Sequence, residues 1–238
     1  MNATFHKRLV TEASASYRPA GPWAWHFARG KLGGDPLFTA LLTPGLLPAR
    51  GRYLDLGCGQ GLLAAWLLAA ARLHDQGQWP ADLLPPPRLA DYQGVELLAA
   101  AVRRARTAFT DSPAPIRVNT GDMCTAPLPA ADVVSLIDVL HYIPADRQEA
   151  LLRRIRDSLG SDGRLLLRVG DAAAGLPYRL SRLTDSLVVL AHCGRFPQLH
   201  GRPLDAWLTL LQNIGFRTET RPMGSAGFAN TLILAQAA

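Results

Sequence analysis

The stretch that most constrains this chain is residues 53–61, Tyr-Leu-Asp-Leu-Gly-Cys-Gly-Gln-Gly, because it joins an apolar run directly to three alternating glycines. The apolar half is typical of a buried β-strand, and the apolar run 62–71 is typical of a helix packed against a sheet. Glycine permits the positive φ of a sharp turn and has no Cβ to exclude a ligand. Strand, glycine turn and helix together predict a βα unit that binds a nucleotide near the helix N-terminus.

Composition indicates one globular domain. The chain has 238 residues, 48% of them hydrophobic, which is enough for a full core and too many for a disordered protein. No apolar run is long enough to span a bilayer, and the first residues do not resemble a signal peptide. Cys58, Cys124 and Cys193 are odd in number and widely spaced, so they suggest neither disulfides nor a zinc site. We therefore expect a cytoplasmic protein without a membrane span.

The basic charge is spread along the chain. The formal net charge is +6, and 23 of the 25 basic residues are arginines. The densest groups, at 103–106 and 153–156, have helical spacing and fit solvated helix faces. This pattern does not favour nucleic-acid binding, although a basic face can attract an anionic substrate or carrier.

Apolar periodicity and turn residues divide the chain into alternating strands and helices. Pro36 suits the first position of a helix that Asp35 can cap, and Pro144 fits the start of another. Gly160-Ser-Asp-Gly163 is predicted to end that helix and turn into the next strand. The predicted helices are 22–32, 35–42, 61–72, 98–109, 145–159, 178–191 and 204–214, and the predicted strands are 52–57, 92–96, 116–121, 132–138, 164–169, 216–221 and 230–235, the last one antiparallel.

Three stretches do not fit short connections in an α/β fold. Residues 1–50 form an N-terminal helical segment whose aromatic residues either close over a ligand or simply pack the segment onto the domain. Residues 74–89 contain Gly77 and four prolines, and are predicted to be a surface insertion. Residues 171–202 are predicted to be a small cap near the carboxyl ends of the strands. The predicted domain is therefore 51–238, with 171–202 as an insertion that shapes an acceptor site.

Acidic residues follow two of the predicted strands. Glu96 ends the second strand, where a carboxylate can accept hydrogen bonds from both ribose hydroxyls. It lies 37 residues after Gly59, and the proline-rich insertion accounts for the long gap. An acid stabilised at a helix N-terminus is the alternative explanation for Glu96. Asp122 follows the third strand, where it can accept a hydrogen bond from an adenine amino group while Met123 lies on the ring.

Together, residues 55–61, 94–96, 121–123 and 132–144 resemble the class I S-adenosylmethionine (SAM) methyltransferases, with support from Leu-Gly-Ser-Asp-Gly at 159–163. The resemblance covers roughly residues 50–170 and the terminal helix and strands. It implies an α/β fold, a Rossmann-like, doubly wound sheet of seven mostly parallel strands with an antiparallel last strand. The N-terminal helical segment and the cap after strand five complete this expected architecture.

The resemblance also implies which residues bind SAM. It places the glycine turn around the methionine part, Glu96 on the ribose, and Asp122 with Met123 at the adenine. Asp138 is expected to line the floor between cofactor and acceptor, together with Val139 and His141. The residues expected to contact SAM are Asp55, Gly57, Cys58, Gly59, Gly61, Glu96, Leu97, Asp122, Met123 and Asp138.

The fourth motif favours a small-molecule acceptor. Methyltransferases that act on exocyclic base nitrogens or glutamine amides usually have an Asn/Asp-Pro-Pro-Tyr/Phe signature there, whereas this chain has Asp-Val-Leu-His at 138–141. Residues 24–35 further resemble methyltransferases encoded beside aryl polyene or related acyl-chain pathways of Gram-negative bacteria. That resemblance implies bacterial secondary metabolism and an aryl or acyl-linked acceptor.

His141 is the first candidate for a catalytic base. If the acceptor is a hydroxyl, a base must remove its proton, and histidine suits this task near neutral pH. A polar residue that only shapes the pocket explains His141 equally well, and an acceptor that is already ionised needs no base. The other candidates are His26, His192, His200 and Tyr17.

The sequence leaves other functions open. We expect an O-methyltransferase of small molecules, acting as a monomer or homodimer and without a metal. A methyltransferase acting on nitrogen, carbon or sulfur, or a silent SAM-binding partner subunit, fits the same motifs. The G-x-G-x-G spacing and the Gly-Asp-Met element at 121–123 disfavour a nicotinamide-linked oxidoreductase.

Overall fold

The structure is a computed structural model that describes residues 1–170, 199–223 and 230–237. The predicted helix 178–191 and most of the predicted cap 171–202 lie outside the described residues. By its internal contacts the chain divides into two compact units, Met1–Val133 and Val134–Ala238.

Seven strands form one sheet in the order β3-β2-β1-β4-β5-β7-β6. Strand β2 is parallel to both β1 and β3, and β7 is antiparallel to both β5 and β6. The predicted Rossmann-like fold with an antiparallel last strand is therefore confirmed. The strands are β1 (Arg50–Leu56), β2 (Arg88–Glu96), β3 (Ile116–Thr120), β4 (Ala131–Ile137), β5 (Leu159–Gly170), β6 (Phe216–Pro222) and β7 (Asn230–Ala237).

Seven α-helices lie in the described part of the chain, and most of them match the apolar periodicity. Helix α4 is apolar almost all round, and nine of its fourteen residues are buried, so it is a core helix. Asp35 caps α3 as predicted, with its carboxylate accepting the Leu37 N–H at 3.0 Å. The helices are α1 (Ala3–Ala15), α2 (Pro22–Gly34), α3 (Pro36–Ala40), α4 (Leu62–Asp75), α5 (Ala99–Ala108), α6 (Ala145–Ser158) and α7 (Leu204–Asn213).

Helix α1 was not predicted from the sequence. The Asn2 carboxamide caps it by accepting the Phe5 N–H at 2.9 Å. Phe5, Leu9 and Ala13 recur every four residues and are buried. Helix α1 packs against α2 and α4, which makes it part of the core of the first unit.

The proline-rich insertion predicted at residues 74–89 is shorter than expected, because a helix and a strand include residues at its two ends. Helix α4 continues to Asp75, and strand β2 begins at Arg88, where Arg88 and Asp75 form an ion pair. Between them, the Trp79 indole donates to the Leu84 carbonyl at 3.0 Å and packs edge-on against Phe5 of α1. The stretch is thus held to its own unit at defined points.

In the second unit, the chain folds back on itself at Gly160–Gly163, where a turn is predicted after helix α6. These residues belong to β5, whose pairing with β7 begins at Arg164. The first part of the strand is sharply bent, since a Cβ on Gly163 would lie 2.8 Å from the Leu159 Cβ. Glycine therefore permits a bend within the strand at this position.

Candidate cofactor and active site

Three glycines form the turn between β1 and α4. Gly57, Gly59 and Gly61 all have positive φ, at 72°, 57° and 80°. A Cβ on Gly59 would meet no atom within 4 Å, so the backbone there is open to a ligand. A Cβ on Gly61 would lie 2.7 Å from the Phe109 ring, so this glycine is needed for packing. The space beside the backbone is thus open at Gly59 and filled by a side chain at Gly61.

Backbone hydrogen bonds bind the turn to strand β2. The N–H groups of Gly57 and Cys58 both donate to the Val95 carbonyl, at 2.8 and 3.2 Å. The Glu96 carboxylate accepts the Gly59 N–H at 2.9 Å and the Leu98 N–H at 2.8 Å. The predicted acid therefore lies directly beside the glycine turn, as a ribose-binding role requires.

The end of β3 lies next to the same acid. The Gly121 N–H donates to the Glu96 backbone carbonyl at 3.0 Å. The Asp122 carboxylate accepts the Cys124 N–H at 2.9 Å, which shapes the loop after the strand. Asp122 and Met123 are half-buried there. Leu97, next to Glu96, is 68% exposed. The structure thus brings together the predicted ribose and adenine elements.

Asp55 and Cys58 lie beneath the turn. Asp55 is 4% exposed, and its carboxylate accepts a hydrogen bond from the Tyr92 hydroxyl at 2.6 Å. Burial, reinforced by the nearby Asp55, raises the pKa of Tyr92 well above its usual value. Burial and the nearby Asp55 and Glu96 also raise the pKa of the Cys58 thiol, which therefore stays protonated at neutral pH. Cys58 is a packing residue here, because a Cβ on Gly94 would lie 2.6 Å from its sulfur.

In the second unit, Asp138 has an unusual backbone conformation. Its φ is +58°, which makes it the non-glycine residue with positive φ among the described residues. Arg168, 2% exposed on β5, binds its carboxylate through Nε at 2.7 Å and through Nη2. A strained residue at the end of a central strand is a common mark of a functional site.

His141 follows Asp138 in a short 3-10 turn, Leu140–Tyr142. Its ring packs against Tyr142 with the centroids 4.2 Å apart, and its Nε2 atom is buried. The His141 carbonyl accepts the His200 N–H at 2.7 Å, and the Gln148 amide donates to the His200 carbonyl at 2.8 Å. Two histidines predicted as candidate bases thus lie close together along the backbone, whereas His192 lies outside the described residues.

The sequence did not single out Gln60, Arg168 or Tyr92, and it named Tyr17 only as a candidate base. Gln60 lies inside the recognised motif, but a motif specifies backbone shape and not what a variable side chain binds. Arg168 gave the clearest signal, as a charge within the otherwise apolar stretch 165–169 of β5. Tyr17 and Tyr92 bond to Gln60 and Asp55, which are distant from them in sequence, and spacing along the chain does not show such contacts.

No cluster of three or more His, Cys, Asp or Glu side chains suited to a metal occurs within 1–170, 199–223 and 230–237. In the same part of the chain, no helix is both long and apolar enough to cross a bilayer.

A mixed seven-stranded sheet with an open glycine turn after β1, an acid at the end of β2 and a second acid after β3 defines a Rossmann-like protein of the nucleotide-binding type. Residues 24–220 match the family model described as a methyltransferase domain. The chain belongs to this family and is a class I SAM-dependent methyltransferase with SAM as its cofactor. The open Cβ position at Gly59 and the adjacent Glu96 carboxylate fit this cofactor.

Solved structures share the fold at low sequence identity. An O-methyltransferase family protein from Burkholderia thailandensis has a TM-score of 0.63 and 20% identity, over 93% of this chain and 62% of its own. Magnesium protoporphyrin IX methyltransferase from Synechocystis, solved with bound S-adenosylhomocysteine (SAH), has a TM-score of 0.60 and 16% identity, over 100% of both chains.

An O-methyltransferase family 2 protein from Planctomyces limnophilus, in complex with apigenin, has a TM-score of 0.57 and 17% identity. That likeness covers 100% of this chain and 62% of the other. The chain thus spans less than two thirds of the length of both O-methyltransferase family proteins. Among curated proteins, no sequence matches this chain.

Proposed function

We propose that the protein is an O-methyltransferase that methylates a small aryl or acyl-linked molecule, on a phenol or carboxylate oxygen. The observation that carries this proposal is the 138–142 segment, where a strained, arginine-bound Asp138 is followed by His141 with a buried Nε2. This segment replaces the Pro-Pro signature of enzymes that methylate base or amide nitrogens. The fold likeness to O-methyltransferase family proteins supports the same assignment.

SAM supplies an electrophilic methyl group on sulfur, and the reaction is an in-line displacement in which a neutral thioether leaves. The protein's main task is alignment, which is worth an effective molarity of roughly 10⁵ M or more. In our proposal the Glu96 carboxylate holds the ribose hydroxyls, the glycine turn holds the methionine part, and Asp122 with Met123 holds the adenine. His141 accepts the proton of a hydroxyl acceptor, and Asp138 shapes the floor beneath it.

The N-terminal segment offers a surface suited to an aromatic acceptor. Trp23 and Phe27 stack with their ring centroids 5.1 Å apart and remain 48% and 43% exposed. The Arg104 guanidinium lies 4.1 Å from the Trp23 centroid, so the surface is both aromatic and cationic. We propose that residues 1–50 and the cap 171–202 together select the acceptor for the catalytic domain 51–238.

The ribose assignment is tested with SAH and its 2′-deoxy analogue. Calorimetry should show that the wild type binds SAH more tightly than the analogue, by roughly tenfold or more. Glu96→Ala should bind SAH more weakly and lose the discrimination between the two ligands. Glu12→Ala, which removes an acid paired with Arg72 on the surface, is the matched control. Full discrimination by Glu96→Ala would overturn the ribose assignment.

The acceptor is sought by incubating the protein with SAM and a panel of phenols and carboxylic acids, and recording a gain of one methyl group by mass. NMR of the product then separates oxygen from nitrogen, carbon or sulfur as the methylated atom. With a hydroxyl acceptor, His141→Ala should lower kcat by about 10²-fold or more. An unchanged kcat removes His141 as the base, and SAH binding without any product favours a silent partner subunit.

The setting of the reaction follows from the same chemistry. Cys58 and Cys124 are free thiols, which fits our proposal of a cytoplasmic enzyme of bacterial secondary metabolism. We propose a monomer or homodimer, which light scattering on the eluting protein distinguishes. Nucleic acid is not expected among its partners.

A further inference from the structure

The middle of the glycine turn is bonded to the N-terminal segment at two points. The Tyr17 hydroxyl donates to the Gln60 backbone carbonyl at 2.9 Å. The Gln60 side-chain amide donates in the other direction, to the Ala24 carbonyl at 3.0 Å. Tyr17 is fully buried and Gln60 is 3% exposed, so both bonds are shielded from water.

These bonds matter because the turn has little stiffness of its own. Gly59 and Gly61 flank Gln60, and glycine loses more conformational freedom on ordering than any other residue. If the turn is flexible, it loses conformational entropy when the cofactor binds, and this loss weakens binding. A turn that is already ordered in the free protein avoids this loss. In the triplet 59–61, Gly-Gln-Gly, Gln60 has the side chain, and its hydrogen bond to Ala24 restrains the backbone of the turn.

The segment that provides the two partners is itself firmly packed. Helix α1 packs against α2 and α4, and Tyr17 follows α1 directly. The Tyr17 ring also lies edge-on to Phe109, the ring that closes the space at Gly61. The two hydrogen bonds therefore connect the turn to a well-packed part of the chain.

We propose that Tyr17 and Gln60 are positioning residues for the cofactor. The Tyr17–Gln60–Ala24 clamp holds the glycine turn in its binding conformation before SAM arrives. The N-terminal segment is then part of the cofactor site, and cofactor binding and the packing of residues 17–24 stabilise one another. This inference rests on the SAM cofactor and not on the identity of the acceptor.

Gln60 allows a test that separates positioning from stability. Its Oε1 atom is buried without a hydrogen-bond partner among the described residues, which is unfavourable for folding. Gln60→Met keeps the length of the side chain and removes both this unsatisfied oxygen and the bond to Ala24. The variant should therefore unfold at nearly the wild-type temperature and still bind SAH more weakly.

The experiment is calorimetric titration with SAH, well below the melting temperature, of wild type, Tyr17→Phe and Gln60→Met. Each variant should raise the Kd for SAH by about threefold to tenfold, the usual effect of losing one hydrogen bond. Ser14→Ala is the matched control, because Ser14 is a buried hydroxyl of the same segment that bonds within α1, to the Thr11 carbonyl at 3.2 Å. Its Kd should remain within about twofold of wild type.

Wild-type Kd values in both clamp variants would overturn the clamp and leave the cofactor assignment intact. An equal loss in Ser14→Ala would also overturn it, by showing that any loosening of the segment weakens binding. A wild type that does not bind SAH would remove the cofactor assignment and the clamp together. If Tyr17→Phe does not fold, hydrogen exchange on the wild type decides: SAH should slow exchange in residues 17–24 as well as in the turn, and unchanged exchange there overturns the proposal.

Discussion

At the scale of single residues, the glycines of the turn have different tasks although they share positive φ. Gly61 is enclosed by the Phe109 ring, whereas the side-chain position at Gly59 is open. Packing thus requires a glycine at position 61, and our proposal assigns the open position at Gly59 to the cofactor. Substitution by alanine should separate these two requirements.

We expect Gly61→Ala to destabilise the fold by about 1–3 kcal/mol, because its Cβ would overlap Phe109 and its φ of +80° would be strained. Gly59→Ala should cost only about 1 kcal/mol of backbone strain, yet it should weaken SAH binding by tenfold or more. Urea unfolding and calorimetry measure the two effects. A greater loss of stability in Gly59→Ala than in Gly61→Ala would contradict this division of tasks.

Asp138 has a positive φ, which is unfavourable for most residues other than glycine, and its carboxylate is bound by Arg168. Asp138→Ala should destabilise the fold by about 3–5 kcal/mol, since it leaves the buried Arg168 charge without its carboxylate and keeps the strain. Asp138→Asn tolerates the left-handed conformation and can still accept a hydrogen bond, so it should lose markedly less. Denaturant unfolding of both variants tests this order, and equal losses would show that the charge alone matters.

At the scale of elements, the sequence predicted the strands and helices whose residues alternate or repeat with a clear period. Helix α4 and strands β1 and β4 were predicted from their nearly continuous apolar runs, and the acid at the end of β2 from its place after a strand. Helix α1 was missed because its buried residues are separated by polar ones that hide the apolar stripe. The tight turn at Gly160–Gly163 was predicted from its glycines, but the sequence did not show that these residues are part of β5. Contacts such as Tyr92 to Asp55 depend on which strands become neighbours, and local pattern does not contain that information.

An ion pair joins the beginnings of two of these strands. The Asp132 carboxylate accepts the Arg52 backbone N–H at 2.8 Å and binds its guanidinium at 2.8 Å, which lowers the pKa of Asp132 below its usual 3.8. A lowered folded-state pKa means that this stabilisation is complete above pH 3.8 and is lost as the pH falls through the lower value. The side chains are 52% and 42% exposed, so the contribution should be at most about 1 kcal/mol.

Asp132→Asn should therefore reduce the free energy of unfolding slightly at pH 7 and by less at pH 2, because the ion pair weakens as the wild-type carboxylate becomes protonated. Urea titrations at both pH values, in low salt, measure the difference. Asp111→Asn is a suitable control for removing a surface carboxylate from the same unit. A deficit in Asp132→Asn that is as large at pH 2 as at pH 7 would show that the ion pair is not its cause.

At the scale of the whole molecule, cofactor binding and folding are linked, because a ligand that binds the folded state alone stabilises it. SAH at 100 times its Kd should add about 2.7 kcal/mol to the free energy of unfolding. For a chain of this length, that corresponds to a rise in melting temperature of roughly 5–11 °C. NADH at the same concentration should produce no rise, since the turn lacks the G-x-G-x-x-G spacing of dinucleotide sites. Gly59→Ala should show a smaller rise with SAH at the same ligand concentration, while Asp132→Asn should show the full one. A rise with NADH equal to that with SAH would mean that the turn recognises adenosine in general and that methyl donors are selected elsewhere in the chain.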